Sequence, residues 1–223
     1  MEYKFKSLAL AAALALSGVA MAGPVKSAGG KTAVLPVTAQ AVLYSQLAND
    51  AANAITSQDF ESTFDAYDNR AADDFSVPAG QKWKVSEVFA PGAYFNGTGP
   101  LVSANVTFYK DKGGKPGKVV ADFPLVPVTN DASGSITVTL PTAVTLKEGT
   151  YWVSVQGQMD FFVGGQWGWE INTAPTGYNA MWQNPGGGFG TGCDKYSDMN
   201  TCLGQAAGDM MFELRGKAKA VTQ

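Results

Sequence analysis

From Ala72 to Arg215 the apolar positions recur at every second residue, not at every third or fourth. Val102, Ala104, Val106 and Phe108 alternate with Ser103, Asn105, Thr107 and Tyr109. Ile136, Val138 and Leu140 alternate with Ser135, Thr137 and Thr139, and Tyr151, Val153 and Val155 with Trp152, Ser154 and Gln156. Near the end, Met210, Phe212 and Leu214 alternate with Met211, Glu213 and Arg215. Successive side chains of a strand point to opposite faces, so this period predicts half-buried β-strands. Phe75 and Val77 open the series, and Pro78-Ala79-Gly80 predicts a turn. Trp83 and Val85 continue in phase while Val88 is out of step, which predicts a bulge. "DKGGKPG", Asp111–Gly117, predicts a hairpin loop, and "LKEGT" a break before Tyr151. Short strands separated by turn signals, with no amphipathic helix between them, predict an all-β protein built as an antiparallel β-sandwich. Jelly-roll-like and immunoglobulin-like forms both stay open, and one face of each sheet is expected to meet water.

The start of the chain has a different pattern. Lys4 and Lys6 precede the apolar run Leu8–Leu16, and Ala20-Met21-Ala22 supplies a small-x-small cleavage site. Residues 1–22 therefore read as an export signal peptide, and the protein as secreted or periplasmic. The run is shorter than the ~20 apolar residues of a membrane span. Residues 23–40 read as a flexible segment, 41–216 as the sandwich domain and 217–223 as a polar tail. Removing 22 of the 223 residues leaves 201, ample for one core. Within 41–55, a helix and a strand at Val42–Gln46 followed by a polar loop fit the pattern equally.

Charge narrows the partners. Without Glu2, Lys4 and Lys6 the exported chain has 14 basic and 18 acidic residues and no basic run. Nucleic acid and anionic membrane surfaces are disfavoured as partners. Two cysteines, Cys193 and Cys202, pair as a disulfide in an oxidising compartment.

The chain contains no histidine, which removes Ser-His-Asp and Cys-His nucleophile systems and His-type zinc sites. It has no Gly-x-Ser-x-Gly elbow, and Gly186-Gly187-Gly188 leads into Phe189 rather than a helix, so it is no phosphate cradle. A carboxylate pair acting on a polysaccharide is the one hydrolase chemistry left, and the protein is expected not to be an enzyme. Asp59, Glu61, Asp65, Asp68, Asp73 and Asp74 crowd one stretch. Asp65, Asp68, Asp73 and Asp74 are the candidate ligands of a structural calcium ion; the competing reading is a solvated acidic loop. Trp167 and Trp169 are two apart and share a strand face. With Trp182, Gln166 and Glu170 they form a candidate ligand platform. The competing reading puts the tryptophans in the core.

Several stretches add a resemblance. "SQDFESTFDAYDNRAADDFSVPAGQKWKVSEV" (57–88), "GAYFNGTGPLVSANVTFYKDKGGKPG" (92–117), "LKEGTYWVSVQ" (146–156), "GQWGWE" (165–170) and "WQNPGGGFGTGC" (182–193) resemble a non-catalytic β-sandwich module of secreted bacterial proteins. Such modules occur alone or beside proteases and other exported domains. The resemblance covers roughly 41–216. It implies the strand reading of Val42–Gln46 and an accessory or surface-associated role. The expected function is thus a binding or accessory module for extracellular glycan or a surface protein. A structural envelope, matrix or adhesion component and a carboxylate-dependent polysaccharide hydrolase are the alternatives.

Overall fold

The computed structural model describes residues 40–132, 134–204 and 208–221. The export signal at 1–22 and the segment 23–39 lie outside the described residues. The described residues belong to one compact unit, Ala39–Gln223.

In chain order the elements are β1 (Ala41–Ser45), β2 (Asp50–Thr56), β3 (Gln58–Asp59), a 3-10 helix (Ser62–Tyr67), β4 (Arg70–Ala90) and β5 (Gly92–Phe95). There follow β6 (Ser103–Asp111), β7 (Pro116–Pro127), β8 (Asn130–Ala132), β9 (Ser135–Gln158), a helical turn α1 (Phe161–Gly164) and β10 (Gln166–Asn172). The chain closes with β11 (Met181–Gln183), β12 (Ser197–Asp198), α2 (Met199–Leu203), β13 (Asp209–Met210) and β14 (Glu213–Ala220). Among the described residues the larger sheet runs β1-β14-β4-β9-β6-β7, with β3, β8, β11 and β12 attached; the smaller runs β13-β10-β2, with β5 on β10. The two sheets make the all-β sandwich that the alternation predicts. The strand that the resemblance implies at Val42–Gln46 is β1, Ala41–Ser45, and the Asp111–Gly117 stretch makes the β6–β7 hairpin, with residues 112–115 as its loop.

Two turn signals act differently. Pro78-Ala79-Gly80 does not reverse the chain. Val77 pairs with Gly149 and Lys82 with Lys147, so residues 78–81 bulge opposite Glu148 alone. "LKEGT" likewise stays inside β9. The Gly80 N–H donates to the Glu148 carboxylate at 2.8 Å, which ties the bulge to its partner strand. The out-of-step Val88 has the cause expected of it. Val85 pairs with Val144 and Glu87 with Thr139, so residues 140–143 of β9 lie opposite Ser86 alone. The C-terminal boundary also moves: β14 pairs with β4 as far as Ala220, so residues 217–220 belong to the sheet and not to a tail.

The inner faces carry Phe75, Val85, Val106, Phe108, Val153 and Val155 from the larger sheet against Trp167 and Trp169 of β10. The outer face of the larger sheet meets water as expected at Ser76, Lys84 and Thr145, but one part of it is covered. Ala72, Tyr109, Trp152 and Met181 form a second apolar cluster there, with Tyr196 packed on it. Met181 and Tyr196 belong to the chain that returns after β10, so that segment shields two large rings that water would otherwise meet.

Cys193 and Cys202 form the expected disulfide, with Cα atoms 5.9 Å apart. Both pack in the core beside Trp182, whose carbonyl lies 3.7 Å from the Cys202 sulfur. The cross-link closes a short loop, worth about 2–3 kcal/mol by loop-closure entropy. Cys193→Ser with Cys202→Ser should lower unfolding free energy by about that amount in urea titrations, with an unchanged far-ultraviolet spectrum.

Candidate functional site

The tryptophan platform does not exist at the surface. Trp167, Trp169 and Trp182 are each 0% exposed. Their indole N–H groups donate to the carbonyls of Gly134 (2.7 Å), Met211 (2.6 Å) and Thr56 (3.0 Å). A buried indole needs such a partner, and each has one. β10 lies inside its sheet with β2, β5 and β13 as neighbours, and its tryptophan face packs in the core between the sheets. Glu170 lies at the edge of this packing, half-buried; desolvation and the nearby Asp50 raise its pKa.

The four candidate calcium ligands do not converge either. Asp73 and Asp74 are successive residues of β4 and point to opposite faces. Asp68 accepts the Phe60 N–H at 2.8 Å, and Asp65 is exposed on the 3-10 helix. Among the described residues no group of three or more His, Cys, Asp or Glu side chains is placed to hold a metal.

Asp73 is instead the centre of a buried network. One oxygen accepts from the Gln46 side chain and the Met210 N–H, both at 2.7 Å; the other accepts from the Asp74 N–H at 2.8 Å. Tyr44 donates to Gln46 at 2.6 Å. Asp209 accepts from the Thr176 N–H with one oxygen, and its other oxygen is buried without a partner. Burial, then the neighbouring Asp209, pushes the Asp73 carboxyl well above its usual range. Burial raises Asp209 to about 6, with Asp74 adding to the shift. Burial also raises Asp74 to about 6, with Asp111 adding to it.

One surface cleft does combine shape with aromatic rings, Tyr67 exposed, Phe64, Phe161 and Phe189 half-buried and Phe60 buried. Phe60, Phe64, Tyr67, Phe161 and Phe189 line a hollow of about 270 Å³, and Gln166 supplies its polar wall. Neighbouring rings lie 5.4–6.4 Å apart: Phe60 and Phe64 against Phe161, Phe64 against Tyr67, and Tyr67 against Phe189. Phe162 and Val163, on the lip, are 79% and 81% exposed.

Local chemistry holds this shape. The Phe161 N–H donates to Glu61 at 2.7 Å, joining α1 to the 3-10 helix. Gly165 ends α1 at φ 85°, a conformation that disfavours side chains. The glycine-rich loop after β11 forms the third wall. A Cβ on Gly186 would lie 2.6 Å from the Ala66 Cα, so only glycine lets the loop seat on the 3-10 helix. Asn184 completes the joint: its amide donates to the Ala66 and Asp68 carbonyls at 2.8 Å, and its oxygen accepts the Phe189 N–H at 3.0 Å.

Of the expected ligand-binding residues, Gln166 alone faces the cleft; its oxygen accepts from Asn96 at 2.7 Å. The phenylalanines were missed because they lie on three separate segments outside regular strands. The one visible signal was "DFFVGG", Asp160–Gly165, two aromatic residues and a valine in a turn with no period.

No family model matches the chain, and no curated protein matches it. It is similar to a solved structure, that of the cysteine protease and lectin-like domains of Cwp84, a surface layer associated protein of Clostridium difficile. Identity is 15% and the TM-score 0.42; the match covers 68% of this chain and 32% of that one, about a third of its length.

The buried acids give a pH signature. Folded values near 6 for Asp74 and Asp209 exceed the ordinary 3.8, so the folded protein binds protons more tightly than the unfolded chain. The stability this supplies is complete below about pH 4 and is lost as pH rises through about 6. Melting temperature should therefore be higher at pH 5 than at pH 8, and Asp209→Asn should narrow that difference.

Proposed function

We propose that the protein is an exported, non-catalytic binding module that docks a surface protein through the aromatic cleft. The docked element is an apolar or aromatic side chain flanked by Lys or Arg. The observation that carries this is the cleft itself, five aromatic side chains around an open hollow with Phe162 and Val163 exposed beside it. A contiguous apolar patch held open to water marks an interaction surface. The segments that build it carry the exposed acids Asp65 and Asp160. A basic flank on the partner would complement them.

A sugar suits this cleft less well than a protein side chain. Its walls are phenylalanine, with Gln166 as the polar group, so sugar hydroxyls would lose water without gaining partners. The non-catalytic reading is supported by the absence of histidine and by carboxylates that are dispersed or buried. Export is supported by the disulfide and by the signal-like first 22 residues. Among the described residues no helix is long and apolar enough to cross a membrane.

Selection of a displayed peptide library on the full chain tests this. Enriched peptides should carry Phe, Trp or Leu beside Lys or Arg. They should bind more weakly in high salt and lose at least about tenfold in affinity to a Phe64→Ala, Phe161→Ser variant. Equal enrichment on the variant would contradict the proposal.

A further inference from the structure

β3 divides two hollows. Phe60, just after it, faces the aromatic cleft, while Asp59 lines a second groove of about 340 Å³ on the outer face of the larger sheet. Arg70, Asn105, Asp122, Leu125 and Gln158 complete that groove. Its volume lies at the low end of the ~300–1,000 Å³ typical of ligand sites. Its chemistry is the reverse of the cleft's: neutral amides, two carboxylates and a guanidinium around a small apolar floor.

Several polar atoms there already have partners that fix them in place. Asn105 donates to Asp59 at 3.0 Å and to Gln156 at 3.1 Å, and accepts the Leu125 N–H at 2.8 Å. Thr107 donates to Asp122 at 2.7 Å, and Ser103 donates to the Gln158 oxygen at 2.9 Å. These bonds leave one oxygen of Asp59, one of Asp122 and the amide N–H groups of Gln158 available. Among the described residues nothing hydrogen-bonds the half-buried Arg70 guanidinium; it lies near enough to Asp68 to act on it through space alone. The wall beside it is a bulge. Ala104 pairs with Val126 and Val106 with Phe123, so Pro124 and Leu125 together oppose Asn105. Leu125 adopts φ 54° and is 54% exposed, turned outward with Pro124 beside the polar groups. Bulges of this kind re-aim side chains.

We infer that this groove binds a neutral sugar unit of an extracellular glycan, with Arg70 and Gln158 donating to its oxygens and Asp59 and Asp122 accepting from its hydroxyls. Adjacent hydroxyls offer donors and acceptors together, which this mixed set of groups matches, and Pro124 and Leu125 meet the C–H face of the ring. Two carboxylates against one guanidinium disfavour an anionic ligand such as a uronate or a phosphate. The site is separate from the aromatic cleft and does not depend on its role.

Calorimetric titration of the full chain with cellotriose, maltotriose, mannotriose and chitotriose provides the test. At least one should bind saturably with Kd about 1 mM or tighter. Arg70→Met and Asp122→Asn should each weaken it about tenfold, the loss expected for a charge-assisted hydrogen bond. Phe161→Ser, which disables the aromatic cleft, should leave sugar binding unchanged. Melting temperatures measured alongside separate lost contacts from lost folding; Asp122, being exposed, can be replaced even where Arg70 cannot. No saturable binding of any of the four sugars up to about 10 mM would overturn the inference. So would affinity that survives both substitutions.

Discussion

The antiparallel pairing of β4 with β9 is the constraint on which the rest of the molecule depends. The strands have 21 and 24 residues and pair in three registered stretches separated by two bulges. Each bulge sits on one strand opposite a single residue of the other, so the ladder bends without breaking. β14 hydrogen-bonds to one side of this pair and β6 to the other. β3 and β11 attach near one end, at Gly157–Gln158 and Arg70–Ala72. That end is where both hollows lie, because the segments that line them leave from or return to it.

The pair also fixes what is buried. Ala71, Phe75, Val153 and Val155 face inward, while Ala72, Trp152, Ser154 and Gln156 face the covering segment. Tyr196 reaches that outer layer and donates to Ser154 at 3.2 Å. The glycine-rich loop and the disulfide keep the covering chain seated, and Phe189 is delivered to the cleft as a result. The aromatic cleft thus lies on irregular segments carried by the ladder, whereas the polar groove is lined by the strands themselves. Asp73 is a polar exception within the inner face. Its hydrogen bonds to Gln46 and Met210 join β4 to two other parts of the sandwich.

Period-two alternation made the fold class legible, because every long strand has at least one apolar face. It could not show that Pro78 bulges and that "LKEGT" runs on as strand, since local turn chemistry is the same whether or not a partner strand continues past it. Nor could it separate core tryptophans from a platform: Trp167 and Trp169 share a face in either case, and only the neighbours of β10 decide which way it points. Asp73 and Asp74 lay in an acidic run that suggested shared ligands, yet strand geometry sends them to opposite sides. The cleft was the least legible part. Phe60, Phe64, Phe161 and Phe189 are brought together by tertiary contacts between short irregular segments, and no sequence spacing records that. Gln166 was visible because it neighbours the tryptophan pair, although it serves a different surface.

Native-state hydrogen exchange measures the central claim most directly. Amides of Ala71–Phe75 and Val153–Val155 should open only with global unfolding, while those of α1 and the loop around Gly186 should exchange through smaller local openings. Exchange at the β4–β9 ladder as fast as at β1 or β7, on the sheet's edges, would contradict the account.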